Sequence, residues 1–268
     1  MKILIDIGHP AHVHLFKNMC LELAQKGHSI FFTVREAEQE SYLIQKLGFQ
    51  YKNIGQKKKG RFNKILGVFT FTIRILIVSR KFKPDIYLSH GSMYAAYAAF
   101  LTFKKHISME DSGNMEQIRL YFRFTDVIIT PDILPLNLGY KQVKYSGYHE
   151  LMYLLPKYYN PNKSIYNFLG LKEGEKYAIL RFVSWEATHD NNQSGLSNFD
   201  KLELVNILSK KMKVFISAER NLPTELENYK IKIPFEKIHD ALAFAYVYIG
   251  EGATMASEAG VLGTPSIY

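Results

Sequence analysis

Three imidazoles crowd the stretch Gly8-His9-Pro10-Ala11-His12-Val13-His14, just after the apolar run "KILIDI". An imidazole with a pKa near neutrality can act as a general base, taking the proton of an attacking hydroxyl. His12 stands at the head of an apolar-periodic stretch, where a helix dipole would lower its pKa and keep it a neutral base. His14 is a second candidate. The same imidazoles could serve as helix caps or as zinc ligands. No cysteine or carboxylate nearby completes a ligand set, so no metal is expected there. Glu110 and Asp111, at the end of "KHISMED", are alternative bases.

A second chemistry-bearing stretch is "GEGATMASEAGVLGTP", Gly250 to Pro265. Small residues at a strand-to-helix junction let a ligand approach the backbone, and free N–H groups with the helix dipole attract phosphate. Gly252, Ala253 and Thr254 would open that helix, and the Thr254 hydroxyl adds a donor. Glu258, one turn on, can accept hydrogen bonds from a ribose diol. Arg181 ends "KYAILR" and can neutralise a departing diphosphate without a metal. Glu219 ends the next apolar run, and "SWEATHD" places Trp185, Glu186, His189 and Asp190 in a long loop. No Asp-x-Asp pair occurs, so neither an essential divalent ion nor another cofactor is expected.

The elements that must position these groups alternate. Apolar or β-rich runs at 2–7, 29–34, 51–55, 85–91, 105–111 and 126–131 are separated by helix-period stretches from 12 to the stop at Gly27, at 36–48, 64–82 and 94–103, and at 117–124. Strands joined by helical crossovers imply parallel sheets with helices on both faces. The proline-bearing "LPKYYNPNKS" (155–164) reads as a linker. A second series follows, with strands at 176–182, 213–218, 229–234, 246–250 and 265–268. The alternation implies two α/β halves, 1–155 and 165–268. The chain stops on a core strand whose covering helix does not follow, so the second domain reads as incomplete.

Composition narrows the class. A chain of 268 residues with 47% hydrophobic content can bury a substantial core. A single cysteine, Cys20, rules out an intrachain disulfide framework and suits a reducing, cytoplasmic setting. No apolar run is long enough for a membrane span. The formal net charge of +9 favours anionic partners. Nothing matches an RNA-recognition or zinc-finger pattern, so nucleic acid is not expected. Lys57, Lys58, Lys59, Arg61 and Lys64 precede a helix rich in Ile, Leu and Phe, a pattern suited to peripheral contact with an anionic membrane, and equally to a solvated loop.

The stretch "PFEKIHDALAFAYVYIGEGATMASEAGVLGTPSIY" (234–268) resembles the nucleotide-sugar half-site of GT-B glycosyltransferases. It is most similar to the transferases that add N-acetylglucosamine to lipid-linked muramyl-pentapeptide. The resemblance implies that the two α/β halves are a GT-B pair of facing Rossmann-like domains, 1–155 for an acceptor and 165–268 for a nucleotide sugar. It implies further that Phe235 and Ile238 meet the base, Gly252 to Met255 the diphosphate, and Glu258 the ribose. "GHPAHVHLFKNM" is similar to that family's first turn, with His12-Val13 in the matching place. Over nearly the whole length, "IDIGHPAHVHLFK", "LSHGS", "RFVSWEATHD" and "GATMASEAGVLGTPSI" resemble the family called domain of unknown function 354, itself GT-B-like. These resemblances imply a glycosyltransferase using a nucleotide-diphosphate sugar, a UDP-sugar by analogy, with a cell-envelope, lipid-linked or polysaccharide acceptor. Two other outcomes stay open. One is a non-hydrolysing UDP-N-acetylglucosamine 2-epimerase, whose catalytic loop carries a His followed by two Arg where this chain has His189-Asp190-Asn191. The other is a non-catalytic nucleotide-sugar-binding module.

Overall fold

The computed structural model describes residues 1–35, 38–56, 61–183, 195–218 and 222–268, with backbone alone over 61–65. The chain forms two compact units, Met1–Tyr153 and Leu154–Tyr268.

The first unit runs β1 (Lys2–Ile7), α1 (Pro10–Gln25), β2 (Ser29–Val34), α2 (Glu38–Lys46), β3 (Gln50–Asn53), α3 (Arg61–Phe82), β4 (Ile86–His90) and α4 (Met93–Leu101). It continues through β5 (Lys105–Met109), α5 (Met115–Tyr121), β6 (Val127–Pro131), β7 (Gln142–Tyr145) and the one-turn α6 (Leu151–Leu154), which reaches the unit boundary. The strand order is β3-β2-β1-β4-β5-β6-β7, and every pairing is parallel. The alternation of β1 explains the layering. Ile3, Ile5 and Ile7 pack with Val13, Phe16, Cys20, Leu43 and Ile44 from α1 and α2. Leu4 points the other way, into a cluster with Phe71, Ile75 and Tyr87. Each such buried side chain contributes about 1.5–3 kcal/mol.

The second unit contains α7 (Ile165–Phe168), β8 (Tyr177–Phe182), α8 (Asn198–Ser209), β9 (Lys213–Ala218), α9 (Ile238–Ala243), β10 (Val247–Gly250), α10 (Ala253–Val261) and β11 (Ser266–Ile267). Its four strands lie in the order β11-β10-β8-β9, again all parallel. Tyr177 and Ile179 face a core shared with α7, α9 and α10, while Leu180 and Phe182 face one shared with Val205 of α8.

Two elements depart from the sequence reading. Residues 229–234 do not form a strand: Lys230 makes a lone parallel bridge to Ile216, and the Ile231 N–H donates to the Ile216 carbonyl. Ile231 and Ile233 instead pack on the core, and Pro234 has no N–H to extend a ladder. Conversely, Gln142–Tyr145 forms the edge strand β7, whose four partly or fully exposed residues carry little apolar signal.

Candidate functional site

In open parallel sheets, polar groups that meet ligands gather beyond the carboxyl ends of the strands, where the strand order reverses. That reversal lies between β1 and β4 in the first unit, and between β8 and β10 in the second.

The floor at the first reversal is a buried ionic cluster around Asp6. Asp6 ends β1 opposite Thr33 of β2; it accepts from the Thr33 hydroxyl at 2.8 Å, from the Arg35 guanidinium and from the Ser92 hydroxyl. Ser92 also caps α4. Arg35 lies so close beneath the first turn that a Cβ at Gly8 would come within 2.5 Å of its Nη2. That packing explains the glycine ahead of the histidines.

Above this floor stand the imidazoles. His9 is the N-cap of α1, its Nδ1 accepting from the Ala11 N–H. His12 is half-buried and stacks on His90, ring centroids 4.5 Å apart. Burial, with the neighbouring His90, His9 and Arg35, holds its pKa well below 6.5 despite the opposing pull of Asp111. The Gly8 N–H approaches His12 Nδ1 at 3.4 Å, too long to fix the tautomer. His14 does not join this group; it is buried and stacks on Tyr153.

The two sequence-predicted carboxylates have different surroundings. Glu110 is buried with both oxygens engaged: Oε1 accepts from the Ser112 N–H at 2.8 Å and from its hydroxyl, and Oε2 from the Tyr121 hydroxyl at 2.6 Å. Asp111 is partly exposed and lies between two imidazoles, 3.0 Å from His90 Nε2 and 2.8 Å from His149 Nδ1. Burial pushes the Asp111 carboxyl up, but hydrogen bonds from His149 and His90 overcome it and hold the carboxyl well below the usual range. His149 is buried just ahead of α6, which the Asn18 amide of α1 holds by donating to the Met152 carbonyl at 2.8 Å.

His90 is legible in the sequence as a polar group at a strand end, though without an assigned role; His149 is the residue that sequence reasoning misses. His149 follows an edge strand that was not anticipated, so nothing pointed to it.

At the second reversal, Gly252 is the N-cap of α10, no side chain among the described residues caps the helix, and Ala253 and Thr254 are exposed. Gly250 is forced by packing: a Cβ there would lie 2.3 Å from Tyr248 Oη and 2.7 Å from Arg181 Cβ. Arg181 is half-buried near the end of β8 and donates to the Ser217 hydroxyl at 2.8 Å. Glu258 is buried, 3.1 Å from His239 Nε2. Met255 is partly buried; Phe235 is exposed in a 3-10 turn leading to Ile238, the first residue of α9.

Glu219, Trp185, Glu186, His189 and Asp190 lie outside the described residues, as do Lys57, Lys58 and Lys59 and the side chains of Arg61 and Lys64. A further acidic residue emerges instead. Glu251 Oε2 accepts from the Val183 N–H at 2.9 Å and Oε1 from the Leu196 N–H at 2.6 Å.

Two parallel sheets, each gathering polar groups at its own point of reversal, define a protein of the GT-B class with Rossmann-like domains. The chain belongs to the family described as Protein of unknown function (DUF354), whose model matches residues 1–268. No curated protein matches it in sequence. Among solved structures it is similar to the UDP-GlcNAc 2-epimerase from Neisseria meningitidis bound to UDP-GlcNAc, with a TM-score of 0.72, 14% identity, and coverage of 99% of this chain and 81% of that one. The Methanocaldococcus jannaschii UDP-GlcNAc 2-epimerase in complex with UDP-GlcNAc and UDP gives 0.70 and 16% identity, covering 99% and 83%. The spinosyn forosaminyltransferase SpnP gives 0.59 and 12%, covering 99% and 79%.

Proposed function

We propose that this protein is a glycosyltransferase that moves a sugar from a nucleotide-diphosphate sugar, a UDP-sugar, to a hydroxyl of a cell-envelope or polysaccharide acceptor. The observation that carries the reading is the uncapped N-terminus of α10 at the second sheet's reversal, next to a glycine that only close packing requires. Free N–H groups of the first turn suit a diphosphate. Gly252, Ala253, Thr254 and Met255 would hold it, with Arg181 countering charge on the leaving group. Glu258, kept in place by His239, would receive the ribose hydroxyls, and Phe235 and Ile238 would border the base. The UDP and UDP-GlcNAc held by the similar epimerases support the choice of ligand.

In the first unit His12 is the group suited to take the acceptor's proton. It is half-buried at the carboxyl end of the sheet and held neutral. Glu110 is less suited because both its oxygens are occupied. His12→Ala should lower turnover by about 10²–10⁴-fold, the usual worth of a general base. If turnover survived that change and vanished in Asp111→Asn, the base would be Asp111.

A second reading, epimerisation at the sugar's C2, is favoured by the partly exposed, ionised Asp111. One experiment separates the readings. UDP-GlcNAc is incubated with the protein alone and followed by NMR, then again with candidate acceptors. A C2 epimer formed without acceptor indicates an epimerase, and new product only with acceptor a transferase. Binding with neither leaves a non-catalytic module. Calorimetry on Glu258→Ala should show a loss of roughly 1–3 kcal/mol in UDP-sugar affinity; unchanged affinity removes Glu258 from the site.

A further inference from the structure

We propose that His90, Asp111 and His149 form a binding site for a divalent transition-metal ion. The three come from different places: His90 ends β4, Asp111 lies two residues beyond β5, and His149 lies in the turn between β7 and α6. The fold brings one donor atom of each within 4.8 Å of the others. Both imidazoles aim a nitrogen at the one carboxylate, His90 Nε2 at 3.0 Å from Oδ1 and His149 Nδ1 at 2.8 Å from Oδ2.

Two imidazoles and a carboxylate are a ligand set for first-row ions such as Zn²⁺, Co²⁺ or Fe²⁺ rather than for Mg²⁺ or Ca²⁺, which favour oxygen alone. Metal–nitrogen bonds near 2 Å require the donor atoms, now within 4.8 Å of one another, to close on the ion. The exposure is graded in the way an open site requires. His149 is buried and His90 is largely so, while Asp111 faces solvent on one side. Three protein ligands there leave positions for water or a substrate oxygen.

The surroundings point the same way. Tyr145 stacks parallel to His149, and Tyr145 Oη and His149 Nε2 are buried without a hydrogen-bond partner among the described residues. His149 Nε2 lies on the other side of the ring from Nδ1, so it is left for an outer partner such as water while Nδ1 would serve the ion. His12 stacks on the outer face of His90, which limits the ways that ring can turn. No stretch of sequence announces the set, because its members are separated by long stretches of chain and none belongs to a short ligand motif.

The site is tested on the full chain without substrate, so the outcome is independent of the glycosyl-transfer reading. Co²⁺ is titrated in and its visible ligand-field absorption recorded, with Zn²⁺ calorimetry in parallel. The expected result is stoichiometric binding with a Co²⁺ spectrum that Zn²⁺ displaces. Asp111→Asn, His90→Asn and His149→Ala should each weaken Zn²⁺ binding more than about tenfold, while His28→Ala, which alters an imidazole elsewhere in the unit, should not. Circular dichroism establishes which variants are folded; if His149→Ala is not, the other two decide. Absence of stoichiometric Co²⁺ binding, or binding unchanged in the folded ligand variants, overturns the site.

Discussion

His106 shows how one buried side chain ties stability to pH. It lies fully buried in β5, between the hydroxyls of Ser89 at 2.9 Å and Thr125 at 2.8 Å. The Thr125 hydroxyl donates to the Tyr121 carbonyl, so it accepts from His106 Nδ1–H, and Ser89 donates to the bare Nε2. The ring is therefore neutral in a fixed tautomer. Burial lowers its pKa from 6.5 to about 4 against the pull of Asp6 and Asp126. Between those values the unfolded chain binds a proton that the folded one does not. Stability should therefore fall as pH drops from 6.5 towards 4, by up to about 1.4 kcal/mol per pH unit from this group. Urea titrations across that window should show a shallower pH slope in His106→Gln, even if the variant is less stable throughout. An unchanged slope would assign the effect to other groups. Cys20 behaves as a packed apolar residue, since burial pushes its thiol up to about 12. It should resist an aromatic disulfide reagent at neutral pH until denaturant is added.

At the level of elements, the junction at the carboxyl end of β10 is held by packing and by one carboxylate. Gly250→Ala forces a methyl against Tyr248 and Arg181 and should cost about 1–3 kcal/mol in urea unfolding. Glu251 bridges Val183 and Leu196, accepting from the backbone N–H of each. Glu251→Gln retains one acceptor oxygen and loses the charge. A loss of roughly 1–3 kcal/mol in urea unfolding is expected. An unchanged urea midpoint would show that the carboxylate does not contribute by bridging Val183 and Leu196.

At the level of the whole molecule, α3 presents Leu66, Phe69, Ile73 and Ile77 to the outside, at i, i+3, i+7 and i+11. Its inner face carries the buried Phe71 and Ile75. No helix among the described residues is long and apolar enough to cross a membrane. An outward apolar stripe beginning beside a run of lysines suits a surface that rests on anionic lipid, where each nearby Lys or Arg adds about 1 kcal/mol. Co-sedimentation with phosphatidylserine vesicles should occur at low salt, fade as salt rises, and weaken in Phe69→Ser. Protein remaining in the supernatant at low ionic strength would favour a soluble acceptor.

Much of this architecture was legible from residue order, for a physical reason. Strands such as Ile3–Ile7 and Tyr177–Phe182 are buried on both faces, so they read as continuous apolar runs whatever their neighbours. Helices between them advertise their period, and parallel pairing follows from the length of the crossovers. His12 and the α10 junction could be singled out because each lies within a few residues of a strand end. The short edge strand β7 and the failed strand at 229–234 were not legible, since exposure and Pro234 decide them in three dimensions. The same limit governs the chemistry. Glu110 and Asp111 are adjacent in sequence, yet one is spent on Ser112 and Tyr121 while the other meets two imidazoles. That division, and the convergence of His90 and His149 on Asp111, depends on which strand ends the sheet order makes neighbours, and local sequence carries no record of that order.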